Sequence, residues 1–350
     1  MKVFIVDNAS VGVSESYRWN KVVEDLKTFR DDFQVFHIKH NHVSFHKYHE
    51  STKYYSTDAL SNELLYHLKT NLDNNSVFIF ANARDPLVLA LHNYRIFYRK
   101  QFKMIGFWTD SIHLLQGNLR KNIHKTNYAW SAAFEKCLID AFDYNLVPYD
   151  LLYDRLYKMF SRKVRKSLIR SPLPFDSTLK DVVNGTSDQN IYKDDLIILN
   201  TSSESLVDFT LFNAIKKEFS AYEFINVNEK NMNPVEYQRI LARSKVVLSL
   251  NISDADPYTI VESMALGSLP ILPDLELYKE MFHEDWIYSS IIFKPPYLNF
   301  IRNREEIFEK ILKCVENYVS YSIDEKYNEI VSKYYNSDKL KEILCSLIAQ

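Results

Sequence analysis

Two carboxylates with seven residues between them, Asp254 and Glu262, stand in the stretch "SDADPYTIVESMALGSLPIL". Pro257 suits the first turn of a helix because it has no N–H to leave unpaired. Gly267 suits the left-handed stop at the far end. The stretch therefore predicts a short helix from about Pro257 to Leu266, between the strands "KVVLSLN" (Lys245–Asn251) and "SLPIL". At the start of that helix the amides of Tyr258, Thr259 and Ile260 have no intrahelical partners and form an anion site. Glu262, about one turn on, either accepts hydrogen bonds from a ribose diol or is a solvated helix carboxylate. Asp254, on the loop, is placed to meet a sugar hydroxyl.

Three other loops carry candidate chemistry. "GFWTDSIH" puts Asp110 and His113 just past an apolar strand, where a carboxylate or an imidazole can move a proton. The plainer readings are a helix cap for Asp110 and an ordinary core or surface residue for His113. Gly12, in "NASVGVSES", can let the backbone approach a phosphate. "LNTSSESLVDF" offers Thr201, Ser202 and Ser203 to a phosphate but no Arg or Lys, so charge compensation has to come from elsewhere, with Arg243 and Lys245 as candidates. The cluster "HIKHNHVSFHKYH" lacks Cys or carboxylate partners at ligand spacing, so a polar loop is expected and no metal site. Cys137, Cys314 and Cys345 are far apart and odd in number, which argues against a disulfide framework and fits a reducing, cytoplasmic location.

These loops need a scaffold. Short apolar strands "VFIVD", "FQVFHI", "SVFIFAN", "KMIGFWTD" and "YNLVPY" alternate with helical patterns such as Ser14–Phe29, Asp58–Thr70 and Pro86–Arg99. The stretch Ser161–Asn190 breaks the pattern with Pro172, Pro174 and Gly185. Alternation resumes with "DLIILN", "YEFINV" and "KVVLSLN", and helical patterns follow over 304–319 and 324–348. This predicts an α/β protein of two doubly wound parallel sheets facing across a cleft, with ligands outside the carboxyl ends of the strands. The expected domains are 1–168, 169–325 and a helix over 326–350 that packs back on the first.

Charge divides along the same line. Up to Arg170 there are 25 Lys and Arg against 17 Asp and Glu; from Ser171 onward there are 18 against 28. A basic first half suits an anionic acceptor or surface, although accidental surface bias explains it equally well. The run "RLYKMFSRKVRKSLIR" (Arg155–Arg170) alternates basic and apolar residues, as a membrane-lying helix, a nucleic-acid contact or a solvated helix face would. No run of about 18 apolar residues predicts a membrane span, and the opening "MKVFIVDNAS" reads as a strand rather than a signal segment.

The acidic pair, the run Ser263-Met264-Ala265-Leu266-Gly267 and Pro270 resemble the donor-site motif of retaining glycosyltransferase family 4, whose fold is GT-B, two Rossmann-like domains. Ser253, Asp254 and Pro257 match a variant of that motif. The resemblance implies a glycosyltransferase acting on a nucleoside-diphosphate sugar, UDP- or GDP-linked, with no further cofactor. It implies that Glu262 holds the ribose, Asp254 contacts the transferred sugar, and the amides of Tyr258, Thr259 and Ile260 approach the diphosphate or sugar. The expected acceptor is a bacterial surface glycan or lipid-linked precursor, with peripheral membrane contact through the basic half. The sequence departs from the family in lacking the Gly-Arg and Lys of the loop after the second domain's first strand. "MKVFIVDN", "VSES", "WTD" and "NREEIFEKI" are also reminiscent of bacteriophage DNA β-glucosyltransferase. That resemblance implies hydroxymethylcytosine in DNA as acceptor, Asp110 as an inverting base, and a host-cytoplasm location. A non-catalytic protein of the same fold, or an epimerase, is the remaining alternative.

Overall fold

The computed structural model describes residues 1–8, 13–29, 32–40, 72, 74–85, 87–109, 111, 125–175, 194–199, 209–226, 234–251, 257–289, 298–318 and 323–350. The chain divides into two compact units, Met1–Phe175 with Tyr334–Gln350, and Asp176–Lys333. Each is built on an all-parallel sheet.

In the first unit the strands are β1 (Lys2–Asn8), β2 (Gln34–His40), β3 (Val77–Phe80), β4 (Lys103–Phe107), β5 (Tyr144–Val147) and β6 (Leu168–Arg170), in the order β2-β1-β3-β4-β5-β6. They are short apolar runs because helices cover a parallel sheet, and Val77–Phe80 is buried throughout. The intervening helices are α1 (Val13–Phe29), α2 (Leu87–Phe97), α3 (Lys125–Ala141), α4 (Asp150–Met159) and α5 (Arg162–Ser167). Gly106 admits the Phe142 ring against β4: a Cβ there would stand 2.5 Å from Phe142 Cζ.

The sequence reading places a boundary at 168, but the chain first adds a sixth strand. Leu168 pairs in register with Asn145, whose Nδ2 donates to the Ser167 hydroxyl at 2.9 Å, so the first unit runs on to Phe175. The expected single helix over 324–348 is two: α11 (Ile323–Tyr334) and α12 (Ser337–Ala349), separated where the Asn336 side chain caps α12 by accepting from the Lys339 amide at 2.9 Å. α12 belongs to the first unit. Lys103 Nζ donates to the Leu347 carbonyl at 3.3 Å, and Ser337 exchanges hydrogen bonds with the Phe175 backbone at 3.0 Å.

The second sheet contains β7 (Asp194–Leu199), β8 (Glu223–Asn226), β9 (Ser244–Leu248), β10 (Leu269–Pro273) and β11 (Ile287–Tyr288), ordered β11-β10-β9-β7-β8. Its helices include α6 (Phe209–Glu218), α7 (Pro234–Arg243), α8 (Tyr258–Ala265), α9 (Glu276–Met281) and α10 (Leu298–Glu316). In both sheets the strand order reverses beside the first strand, between β1 and β3 and between β7 and β9. Crevices for ligands form at such reversals, outside the carboxyl ends of the strands.

Candidate functional site

α8 begins beyond the carboxyl end of β9, at the reversal of the second sheet. Its chain termination follows from Gly267. With φ 84° this residue turns the backbone left-handed, the Gly267 amide donates to the Met264 carbonyl and the Ser268 amide to the Ser263 carbonyl, both at 2.9 Å. That pair of bonds is the Schellman arrangement, and glycine is the residue that adopts it without a Cβ penalty. Tyr318 secures the turn by donating to the Gly267 carbonyl. α8 is buried on nearly all sides, and only Thr259 is part-exposed.

Glu262 is on this core helix and is 4 % exposed, so it is no solvated carboxylate. Tyr237, from α7, directs its hydroxyl to Glu262 Oε2 at 3.5 Å. Tyr237 also packs on the cluster Ile198, Ile225, Leu241, Ala242 and Leu266. Burying a carboxylate is expensive unless polar groups meet it, which makes this position a specific feature of the unit. One expected amide is not available. Ile260 N–H donates to the Pro257 carbonyl at 3.0 Å, and Val261 N–H shares that acceptor at 3.1 Å, so the first turn closes tightly and uses the Ile260 donor. Tyr258 and Thr259 remain at the helix start.

The exit of β9 is held by hydroxyls. Tyr288 donates to the Ser249 carbonyl at 2.8 Å, and the Ser249 and Tyr278 hydroxyls are 3.2 Å apart. Burial, with Asp274 and Glu306 adding repulsion, pushes the Tyr288 phenol well above its ordinary range, so it stays a neutral donor. Arg243 and Lys245 do not supply charge to this edge. They flank the start of β9, at the amino edge of the sheet, and Arg243 grips Asp194 there through Nε at 2.8 Å and Nη2 at 2.6 Å. On the carboxyl side, Lys279 of α9 pairs with Asp274 at 3.2 Å.

The first unit has its own buried polar groups at the corresponding edge. Asp7, at the end of β1, lies 3.5 Å from His37 Nε2. Past β3, Arg84 is 2 % exposed and its Nε is 3.4 Å from Oε1 of the fully buried Glu135 on α3. Glu135 Oε2 accepts from the Ser111 hydroxyl at 2.7 Å. This network anchors the residue that follows Asp110.

Of the sequence candidates, Tyr258, Thr259, Ile260 and Glu262 share α8. Gly12, Asp110, His113, Thr201, Ser202 and Asp254 lie outside the described residues. Sequence reasoning missed Arg84, Glu135, Ser111 and Tyr237. Arg84 had a signal, since "ANARDP" places a cation directly beyond an apolar strand; nothing local marked Tyr237, which reaches Glu262 across 25 positions. Among the described residues no three His, Cys, Asp or Glu come together to hold a metal, and no helix is long and apolar enough to cross a membrane.

No protein-family model and no curated protein matches this sequence. Solved structures do match in fold. Sucrose-phosphate synthase from Thermosynechococcus elongatus aligns with TM-score 0.62 and 10% identity over 100% of this chain and 98% of that one. The lipopolysaccharide outer core galactosyltransferase WaaB aligns with TM-score 0.57 and 12% identity, over 100% and 99%. A Listeria monocytogenes protein assigned as a UDP-N-acetylglucosamine 2-epimerase aligns with TM-score 0.57 and 10% identity, over 99% and 95%. The chain therefore has the α/β GT-B fold, two Rossmann-like domains.

Proposed function

We propose that this protein is a glycosyltransferase that moves a sugar from a nucleoside-diphosphate sugar to a hydroxyl acceptor. The observation that carries the reading is Glu262: a buried carboxylate one turn into a helix that starts at the carboxyl edge of the second sheet, beside the strand-order reversal. A ribose diol donates two hydrogen bonds to such a group, and a neighbouring phosphate meets the positive end of the same helix. A fold shared with sucrose-phosphate synthase and a galactosyltransferase supports the same chemistry.

In this reading Glu262 binds the ribose of a UDP- or GDP-sugar. The Tyr258 and Thr259 end of α8 faces the diphosphate, with Thr201 and Ser202 adding hydroxyls and Gly12 close backbone approach. Asp254 contacts the transferred sugar. A retaining transfer holds the leaving phosphate beside the acceptor hydroxyl, so that the phosphate takes the proton as the new glycosidic bond forms. Asp110 and His113 then orient the acceptor. An inverting transfer uses Asp110 as the base. The acceptor proposed is a bacterial surface glycan or its lipid-linked precursor, received by the basic first domain.

The second reading is an epimerase, favoured by the fold match to the Listeria protein. One experiment separates them. The purified chain is incubated with a panel of UDP- and GDP-sugars, with and without glycan, lipid-linked and hydroxymethylcytosine-DNA acceptors, and products are followed by mass spectrometry and NMR. Transfer or slow donor hydrolysis that disappears in Glu262→Ala supports the transferase. An isomeric nucleotide-sugar formed without acceptor supports the epimerase. No turnover of any donor refutes both.

A further inference from the structure

The first unit exposes an apolar tip that the sugar site does not use. α2 ends at Phe97, and the chain turns within "RIFYRK" (Arg95–Lys100). Ile96 is 61 %, Phe97 81 % and Tyr98 58 % exposed, three consecutive large apolar residues in water. The tip is rigidly built. Arg95 Nη1 bonds Asp143 at 2.6 Å, and its Nη2 donates to the Ala141 carbonyl at 2.9 Å. The Lys100 amide closes back on the Arg95 carbonyl at 3.0 Å, and the Tyr94 and Tyr98 rings lie 4.6 Å apart. Arg99 takes φ 49°, the only positive φ at a non-glycine among the described residues. Glycine would hold that position at lower cost.

A second tip lies at the same edge. All strands of the first sheet are parallel, so α2 and α4, which each leave the carboxyl edge, both end at the amino edge. Both belong to crossovers that advance in the same direction along the strand order, β3 to β4 and β5 to β6. With right-handed connections they lie on one face. α4 ends with Tyr157 44 % and Met159 56 % exposed. Lys158, Arg162 and Lys166 are exposed around them, and Arg165 stacks over the Tyr157 ring at 4.8 Å. The acids of α4, Asp150 and Asp154, are held at the other edge by Arg170. Two exposed acids stand nearby in the chain's path along this edge, Asp140 on the last turn of α3 and Asp143, which Arg95 neutralises.

We propose that these two tips form a docking surface for an anionic membrane. Phe97, Ile96 and Met159 enter the interface, the tyrosines sit at headgroup level, and Arg99, Lys100, Lys158, Arg162 and Lys166 meet lipid phosphates. Charge selects this occupant over a second copy, because two such basic faces repel each other. Ile96 and Met159, exposed with no ring to stack on a base, and a Tyr157 ring already covered by Arg165 favour it over nucleic acid, which needs open flat rings.

The test is sedimentation of the full chain with phosphatidylcholine vesicles, with and without about one third phosphatidylglycerol, over a salt series. Binding is expected to the anionic vesicles only and to weaken with salt. Phe97→Ser is expected to lower partitioning about tenfold or more, and Arg99→Gln and Lys100→Gln about fivefold each, with unchanged circular dichroism. The proposal is overturned by no binding to anionic vesicles at low salt, by equal binding to neutral ones, or by variants that bind as the parent does. A dimer, or a complex with duplex DNA, that Phe97→Ser abolishes also overturns it. No sugar donor is present, so the result is independent of the transferase reading.

Discussion

Replacing Glu262 by Gln tests the donor site most directly, because it removes a charge and keeps the shape. Glu262 is 4 % exposed, and Tyr237 approaches it at 3.5 Å. An ionised carboxylate in such a place costs several kcal/mol of desolvation that only good partners offset. Gln keeps the volume and one acceptor oxygen, so the unliganded Glu262→Gln protein is expected to stay close to the parent in stability. Ligand binding should weaken. UDP at one hundred times its Kd stabilises the parent by about 2.7 kcal/mol, or about 5–10 °C for a unit of this size. Losing the charged acceptor removes about 1.5–3 kcal/mol of hydrogen bonding, which raises Kd about 10–150-fold. At the same UDP concentration the gain then falls to about 0.3–1.3 kcal/mol, a shift of about 1–5 °C. Differential scanning fluorimetry with UDP and GDP, backed by calorimetric titration, measures both effects. Unchanged affinity for every nucleotide that binds the parent would refute the ribose assignment. A large loss of unliganded stability would make Glu262 a structural group instead.

Three further outcomes follow from the geometry. Glu135→Gln or Arg84→Met alone should destabilise by about 3–5 kcal/mol, because each leaves the other charge buried, while the double variant recovers most of the loss; urea denaturation reads this as a double-mutant cycle. Gly267→Ala should cost about 1–2 kcal/mol and lower the melting midpoint, since an L side chain is strained at φ 84°. Tyr327, pushed up to about 12 by burial and by Asp324, favours the protonated folded state. Its contribution is fully present below the unfolded phenol value near 10 and is lost as pH rises through 12. By pH 11 the loss is about 1.4 kcal/mol, and Tyr327→Phe should flatten alkaline unfolding by that amount.

What the sequence determined by itself was local. Alternating short apolar runs and helical stripes named the parallel sheets, since burial on both faces leaves a strand no polar residues to show. Proline before and glycine after "YTIVESMAL" fixed α8 to within a residue at each end, because both act through their own backbone dihedrals. Non-local facts needed the tertiary structure. β6 was hidden in a basic run, since what makes it a strand is its register with β5, more than twenty positions earlier. Arg243 looked available as a cation until strand direction put it at the amino edge, against Asp194. The Glu262 carboxylate could have been a solvated surface charge; only the packing of α7 and α8 made it a buried group facing Tyr237. Helix stops and strand character are written into neighbouring residues, whereas burial and charge pairing belong to residues that meet only when the chain has folded.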